Sequence, residues 1–131
     1  MTATEVTLSG VDFVLMPTRD LAASAAFYGE TLGLRRSVYH GERGFAEFET
    51  GNLTISIGEV EKWGLELQPT PNPLALHVDD VAAARKALEA RGVEFRGDTI
   101  DSGVCHMAIF ADPTGNALML HHRYAPRVTE G

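Results

Sequence analysis

The sequence has 131 residues, of which 44% are hydrophobic, with a formal net charge of −7 and a single cysteine. A chain of this length and composition is long enough to fold as one domain with its own core. The negative charge argues against a nucleic-acid partner, which selects a basic face. Because Cys105 is the only cysteine, neither an intrachain disulfide nor a cysteine cluster for a metal can form.

The N-terminal sequence does not predict export. Residues 1–5 lack the basic and then apolar segments of a signal peptide, and no apolar run approaches the roughly 18 residues that a membrane span needs. We therefore expect a cytoplasmic protein with no membrane partner.

The first half of the chain predicts a strand, a helix and three more strands. The apolar run at residues 11–18 is typical of a buried strand. Asp20 can cap a helix whose apolar residues recur at helical spacing from Leu21 to Leu32, and Gly33 can end it. Strands are predicted at residues 35–40, 45–48 and 53–57. The last two are joined by a Thr-Gly-Asn turn.

The second half repeats this order after a polar, proline-bearing linker at residues 59–72. It predicts a strand at 74–78, a helix capped by Asp80 and ended by Gly92, and strands at 95–100, 104–110 and 117–122. The capping aspartates lie 60 residues apart (80 − 20 = 60) and the Thr-Gly-Asn glycines lie 64 apart (115 − 51 = 64). Such repetition predicts one domain, residues 1–131, built from βαβββ modules at 9–58 and 73–124.

This duplicated pattern resembles the vicinal oxygen chelate superfamily, which includes glyoxalase I, fosfomycin-resistance transferases, extradiol dioxygenases and bleomycin-binding resistance proteins. The resemblance covers residues 9–124. It rests on Arg-Asp-Leu at 19–21, Leu-Gly-Leu at 32–34, Val-Asp-Asp at 78–80 and Asp-Pro-Thr-Gly-Asn at 112–116. It implies an α+β fold of two tandem βαβββ modules whose curled mixed sheets form a cup, and it implies a homodimer.

Enzymes of this family hold a divalent metal with His, Gln or Glu side chains on the first and last strands of each module. Counted from the capping aspartates and the turn glycines, the matching positions here are Phe13, Ile55, Pro73 and Met119. Phe, Pro and Ile have no donor atom, and a thioether is too soft for Mg, Mn, Zn or Fe(II). The resemblance therefore implies a cup without a metal or another cofactor.

Strand alternation extends the predicted lining of the cup, because side chains two apart share a face. The predicted ligand-binding residues are Phe13, Leu15, Phe45, Glu47, Ile55, Ile57, Trp63, Pro73, Ala75, His77, Cys105, Met107, Ile109, Met119 and His121. A mostly apolar cup of this kind suits a hydrophobic or aromatic ligand oriented by a few hydrogen bonds. Trp63 is interpreted either as a staple on the rim or as a lid that stacks on the ligand.

Two functions fit this pattern. The preferred one is metal-independent sequestration of, or resistance to, an antibiotic-type natural product, as in the bleomycin-binding members. The alternative is an enzyme. It would be a metal-free lyase, isomerase or cyclase that works through His77, His121, Cys105 or Glu47, or a metal-dependent lyase or dioxygenase with displaced ligands.

The sequence leads to different predictions for His77 and His121 than for His106 and His122. His77, His121 and Cys105 could together hold a metal, although histidines on half-buried strands are usually only hydrogen-bonded. Strand alternation predicts that His106 and His122 point to the opposite face.

Overall fold

The computed structural model describes residues 5–128. The first module contains β1 (Phe13–Pro17), α1 (Leu21–Ala26) continued by a π-helical turn (Phe27–Thr31), β2 (Arg35–His40), β3 (Phe45–Glu49) and β4 (Thr54–Gly58). A 3-10 helix (Val60–Trp63) follows. The second module contains β5 (Leu74–His77), α2 (Val81–Ala90), β6 (Phe95–Asp101), β7 (Cys105–Ala111) and β8 (Ala117–Arg123). The predicted order of elements is confirmed.

The strands form two four-stranded mixed sheets with matching topology. Their orders are β1-β4-β3-β2 and β5-β8-β7-β6. In each sheet the first strand runs parallel to the last, and the other pairs are antiparallel. The sheets are curled and do not close, which confirms the predicted α+β class.

Both helices begin at the predicted capping residues. The Asp20 carboxylate accepts from the backbone N–H of Ala23 at 3.1 Å, and the Asp80 carboxylate accepts from that of Ala83 at 3.0 Å. Each bond satisfies a donor that the first helical turn leaves free. No helix within residues 5–128 is both long enough and apolar enough to span a membrane.

The last turn of the first helix is wider than predicted. The Leu32 N–H donates to the Phe27 carbonyl at 2.9 Å, five residues back, and the Leu34 N–H donates to the Tyr28 carbonyl at 3.0 Å. The prediction of a regular α-helix to Leu32 is wrong at this turn. The turn contains one extra residue, and the spacing of hydrophobic residues in the sequence does not reveal such an insertion.

One hydrophobic core joins the two modules. It contains Tyr28 of the first helix and the side chains of both sheets that face the helices, including Met16, Ala46, Phe48, Ile55, Ile57, Ala108, Phe110, Leu118 and Leu120. The Phe27 ring lies 6.4 Å from the Phe110 ring, so the first helix packs on both sheets. We call the side of each sheet that faces away from this core its open face.

The turn between β7 and β8 clamps the modules together. The buried Asp112 carboxylate accepts from the Tyr28 hydroxyl at 2.7 Å and from the Asn116 amide, also at 2.7 Å. Burial, followed by the adjacent Asp112 charge, raises the pKa of Tyr28 well above its usual range. The Asn116 amide also donates to the Pro17 carbonyl at 2.8 Å. This motif therefore holds the fold together, a role that the sequence pattern did not reveal.

Candidate functional site

The open face of the first sheet carries Phe13, Leu15, Phe45 and Glu47, as predicted. Leu15 and Glu47 both lie opposite Ser56 in the strand register, and directly paired residues share a face. Phe13 is 53% exposed and Leu15 is 38% exposed, which is high for side chains of this type. This face is therefore apolar and open, with a carboxylate and a hydroxyl beside the apolar groups.

Ile55 and Ile57 do not lie on the open face, so their predicted placement is wrong. Both side chains are fully buried in the core, opposite Val14 and Met16. The neighbouring Ser56 takes the open-face position instead. Sequence reasoning missed Ser56 because a shift of one residue moves every side chain of a strand to the other face.

The shift arises at the two Thr-Gly-Asn turns. Strand β4 begins at Thr54, three residues after Gly51 (54 − 51 = 3), whereas β8 begins at Ala117, two residues after Gly115 (117 − 115 = 2). Counting four residues from the glycine therefore reaches the open face at Met119 but reaches the core at Ile55. The two turns share the sequence Thr-Gly-Asn but differ in length and geometry.

Trp63 lies over the open face at the end of the first sheet. A Cβ built at Gly58 would lie 2.8 Å from Cζ3 of the Trp63 ring and 3.3 Å from Cδ1 of Leu15, so only glycine fits beneath the indole. The indole N–H donates to the Arg43 carbonyl at 3.0 Å, and the residue is 43% exposed. Trp63 is therefore held at the rim by its own hydrogen bond and by contact with the sheet.

On the second sheet, all of the strand residues predicted to line the cup lie on the open face. The register places on it Ala75, His77, Cys105, Met107, Ile109, Met119 and His121. Pro73, directly before β5, is exposed. Aliphatic and thioether groups dominate this face, and the histidines lie toward one end of it.

The histidines and Cys105 have different partners from those expected of a metal site. His77 Nε2 lies 3.1 Å from the Asp79 carboxylate in an exposed pair. Nη1 of Arg123 lies 3.9 Å from the Cys105 sulfur, and Arg123 is the register partner of Cys105. Cys105 therefore faces a guanidinium and not an imidazole.

His106 and His122 are register partners on the helix side of the second sheet, as predicted. The His106 ring stacks on Tyr124 with centroids 4.7 Å apart, and its Nε2 lies 3.4 Å from the Asp101 carboxylate. These contacts hold His106 away from the open face.

The first open face carries a second carboxylate, Glu49, at the end of β3. Hydrogen bonds from the hydroxyls of Ser37 and then Thr54 lower the pKa of Glu49. Glu49 is the register partner of Thr54 on this face, and neither residue was predicted to lie there. The first open face therefore carries two carboxylates and two hydroxyls beside its apolar side chains.

The family's metal positions do not fit a divalent ion in this chain. With the register corrected, they carry Phe13, Ser56, Pro73 and Met119, and none of these is a strong ligand for a hard or borderline cation. Within residues 5–128, no three His, Cys, Asp or Glu side chains converge in a geometry that could hold an ion.

One protein-family model matches most of the chain. The model described as Glyoxalase/Bleomycin resistance protein/Dioxygenase superfamily matches residues 10–120. No curated protein sequence matches the chain significantly.

Several solved structures share the fold. A glyoxalase family protein from Bacillus anthracis has a TM-score of 0.75 at 24% identity, covering 92% of this chain and 99% of that one. A glyoxalase/bleomycin resistance protein/dioxygenase from Nocardioides has a TM-score of 0.71 at 22% identity, with 95% and 93% covered. A lactoylglutathione lyase from Agrobacterium tumefaciens has a TM-score of 0.73 at 17% identity, with 88% and 94% covered. At these identities the likeness shows the fold alone.

Proposed function

The chain belongs to the Glyoxalase/Bleomycin resistance protein/Dioxygenase superfamily, and from this premise we propose that it binds a hydrophobic or aromatic small molecule without a metal. The observation that carries the proposal is the set of side chains where the family places its metal donors. Phe13, Pro73 and Met119 offer carbon and a thioether there, and Ser56 offers one hydroxyl. Such a surface binds molecules by excluding water from them.

A homodimer is part of this proposal. The core lies on the helix side of both sheets, and among residues 5–128 the open face of the first sheet keeps large apolar side chains partly exposed beside Trp63. Phe13 and Leu15 together present an exposed apolar patch, and patches of this kind commonly mark an interaction surface. A two-fold dimer would place an open face of one copy over an open face of the other and enclose the ligand between them.

The polar groups on the open faces would fix the orientation of the ligand. Glu47 and Ser56 are paired across the first sheet, and His77 and His121 are register partners on the second. Trp63 at the rim offers an aromatic surface on which a planar ligand can stack. An antibiotic-type natural product has apolar surface that such a site would remove from water. The cytoplasmic location stays a prediction from the sequence.

The pairing of His77 with His121 favours one second candidate, a metal-free lyase or isomerase. The backbone register places His77 and His121 on one face, and the His77 ring itself lies 5.8 Å from the His122 ring, with Asp79 beside it. These imidazoles could move a proton if the ligand lies against them. The binding function is preferred because the His77–Asp79 pair is solvent-exposed, and because the guanidinium beside Cys105 is already protonated and cannot accept the thiol proton.

A thermal-shift screen with aromatic and glycopeptide antibiotics tests the proposal, since a ligand that binds only the native state raises the melting temperature. A positive compound should lose its effect in Met119→Glu and keep it in Ala90→Glu, an exposed site on α2. The compound should be recovered unchanged after prolonged incubation. Conversion of the compound that His77→Ala abolishes would contradict binding alone and support the enzyme.

A further inference from the structure

The duplication allows α1 and α2 to be compared position by position. The caps at Asp20 and Asp80 match, and the bond from Leu34 N–H to the Tyr28 carbonyl matches the bond from Val93 N–H to the Leu88 carbonyl, both at 3.0 Å. Tyr28 thus corresponds to Leu88. In the same register, Phe27 corresponds to Ala87 and Ser24 to Ala84.

In the first module, aromatic side chains fill the space between the helix and the turn of the other module. The Phe27 and Tyr28 rings pack edge to face with centroids 5.4 Å apart, and the Tyr28 hydroxyl reaches Asp112 in that turn. The hydroxyls of Ser24 and Thr18 lie 2.6 Å apart beside them. The cleft that remains beside Phe27 and Asp112 has a volume of about 390 Å³.

In the second module, the corresponding space is a cavity of about 670 Å³. Alanine replaces phenylalanine and serine on the helix, and leucine replaces tyrosine. The turn at residues 50–53, which faces α2, is also shorter than the turn at residues 112–116, which faces the first helix. Two residues separate the hydrogen-bonded pair Thr50 and Leu53, whereas three separate Asp112 and Asn116. The cavity is lined by side chains that include Leu32, Leu53, Ala84, Ala87, Leu88 and Arg91.

Arg91 supplies the cationic group of this cavity. Its Nη1 donates to the Thr31 carbonyl at 2.7 Å, which holds the side chain between the modules. Among residues 5–128, no carboxylate forms an ion pair with it. A guanidinium that has further donors beside an apolar wall is suited to a carboxylate.

We propose that this cavity binds an aromatic carboxylate. The rings of the ligand occupy the space that Phe27 and Tyr28 fill in the first module, and its carboxylate pairs with Arg91. The volume lies within the range of small-molecule sites. This site lies between α2 and the turn at residues 50–53. Its lining also includes Ala75 and His77 at the edge of the second open face but not Met119, so a substitution at Met119 tests it separately from the proposed function.

The test uses naphthoate, a two-ring aromatic acid, titrated calorimetrically into the full chain. Ala87→Phe, which supplies the side chain that α1 carries at this place, should abolish binding and raise the melting temperature by filling the cavity. Arg91→Gln should weaken naphthoate roughly tenfold or more, because a charge-assisted bond is lost. The same variant should leave the neutral naphthamide unaffected. Ala90→Phe, on the same helix but outside the cavity, should bind as the wild type does.

Met119→Glu separates the two sites, since it alters the second open face and leaves the cavity intact. Retained naphthoate binding in this variant supports the proposal, even if the open faces bind nothing. Three results would overturn it: failure of naphthoate to bind the wild type at millimolar concentration, wild-type binding in Ala87→Phe, or loss of binding in Met119→Glu alone.

Discussion

The Tyr28 hydroxyl donates to the Asp112 carboxylate at 2.7 Å, and both residues are buried. This bond connects the helix of the first module to the last turn of the second across 84 residues of sequence. The two sheets therefore share one core and keep a fixed relationship, which positions their open faces.

Tyr28→Phe should destabilise the fold by about 1–3 kcal/mol, because the buried Asp112 carboxylate loses a donor that water cannot replace. Urea denaturation measures the change in the free energy of unfolding. Tyr39→Phe is the matched control, since Tyr39 is 41% exposed, and it should change little. Equal effects of the two substitutions would show that the bond contributes nothing.

The same bond predicts loss of stability at alkaline pH. The pKa of Tyr28 is raised in the folded state, so its contribution is complete below the unfolded value of about 10 and is lost as pH rises above it. The wild type should lose up to about 1.4 kcal/mol per pH unit more than Tyr28→Phe above about pH 10. Parallel stability curves for the two proteins in that range would refute this explanation.

Gly58→Ala should displace Trp63 from the rim, since the added Cβ would overlap the indole ring. We expect tryptophan fluorescence to shift to the red and apolar ligands to bind more weakly, as in Trp63→Ala. Gly10→Ala, where a Cβ meets nothing within 4 Å, is the control. An unchanged emission spectrum in Gly58→Ala would mean that the indole is not held against the sheet.

Phe13→Glu should shift the protein from dimer to monomer in sedimentation experiments, because a carboxylate in a covered apolar face would be buried without a partner. Val6→Glu, which also replaces an apolar side chain with a carboxylate but lies in the exposed segment before β1, should leave the association state unchanged. A wild-type protein that is monomeric at micromolar concentration would rule out the proposed dimer.

Much of the fold could be predicted because it depends on local chemistry. Asp20 and Asp80 cap helices through their own carboxylates, and Gly33 and Gly92 end them with positive φ of 75° and 91°. The face of Ile55 was predicted wrongly because it depends on the length of a turn that two similar motifs do not share. The widened turn after α1 has the same cause, a single residue that hydrophobic spacing cannot detect.

The candidate site was predictable where the register is regular. Met107, Met119 and His121 lie on the open face as expected from alternation. Trp63 could not be placed, because its position depends on space above Gly58, which only the folded sheet creates. The clamp from Tyr28 to Asp112 is a long-range contact, and no pattern within either segment predicts it.

The central claim is that the open faces bind apolar molecules without a metal, and fluorescence titration with the neutral dye Nile red tests it most directly. Protein dialysed against EDTA should enhance the dye's emission, and adding Ni, Mn, Zn or Fe(II) should change neither the affinity nor the melting temperature. Met119→Glu should abolish the enhancement. Binding that needs a divalent ion, or that Met119→Glu leaves intact, would contradict the claim.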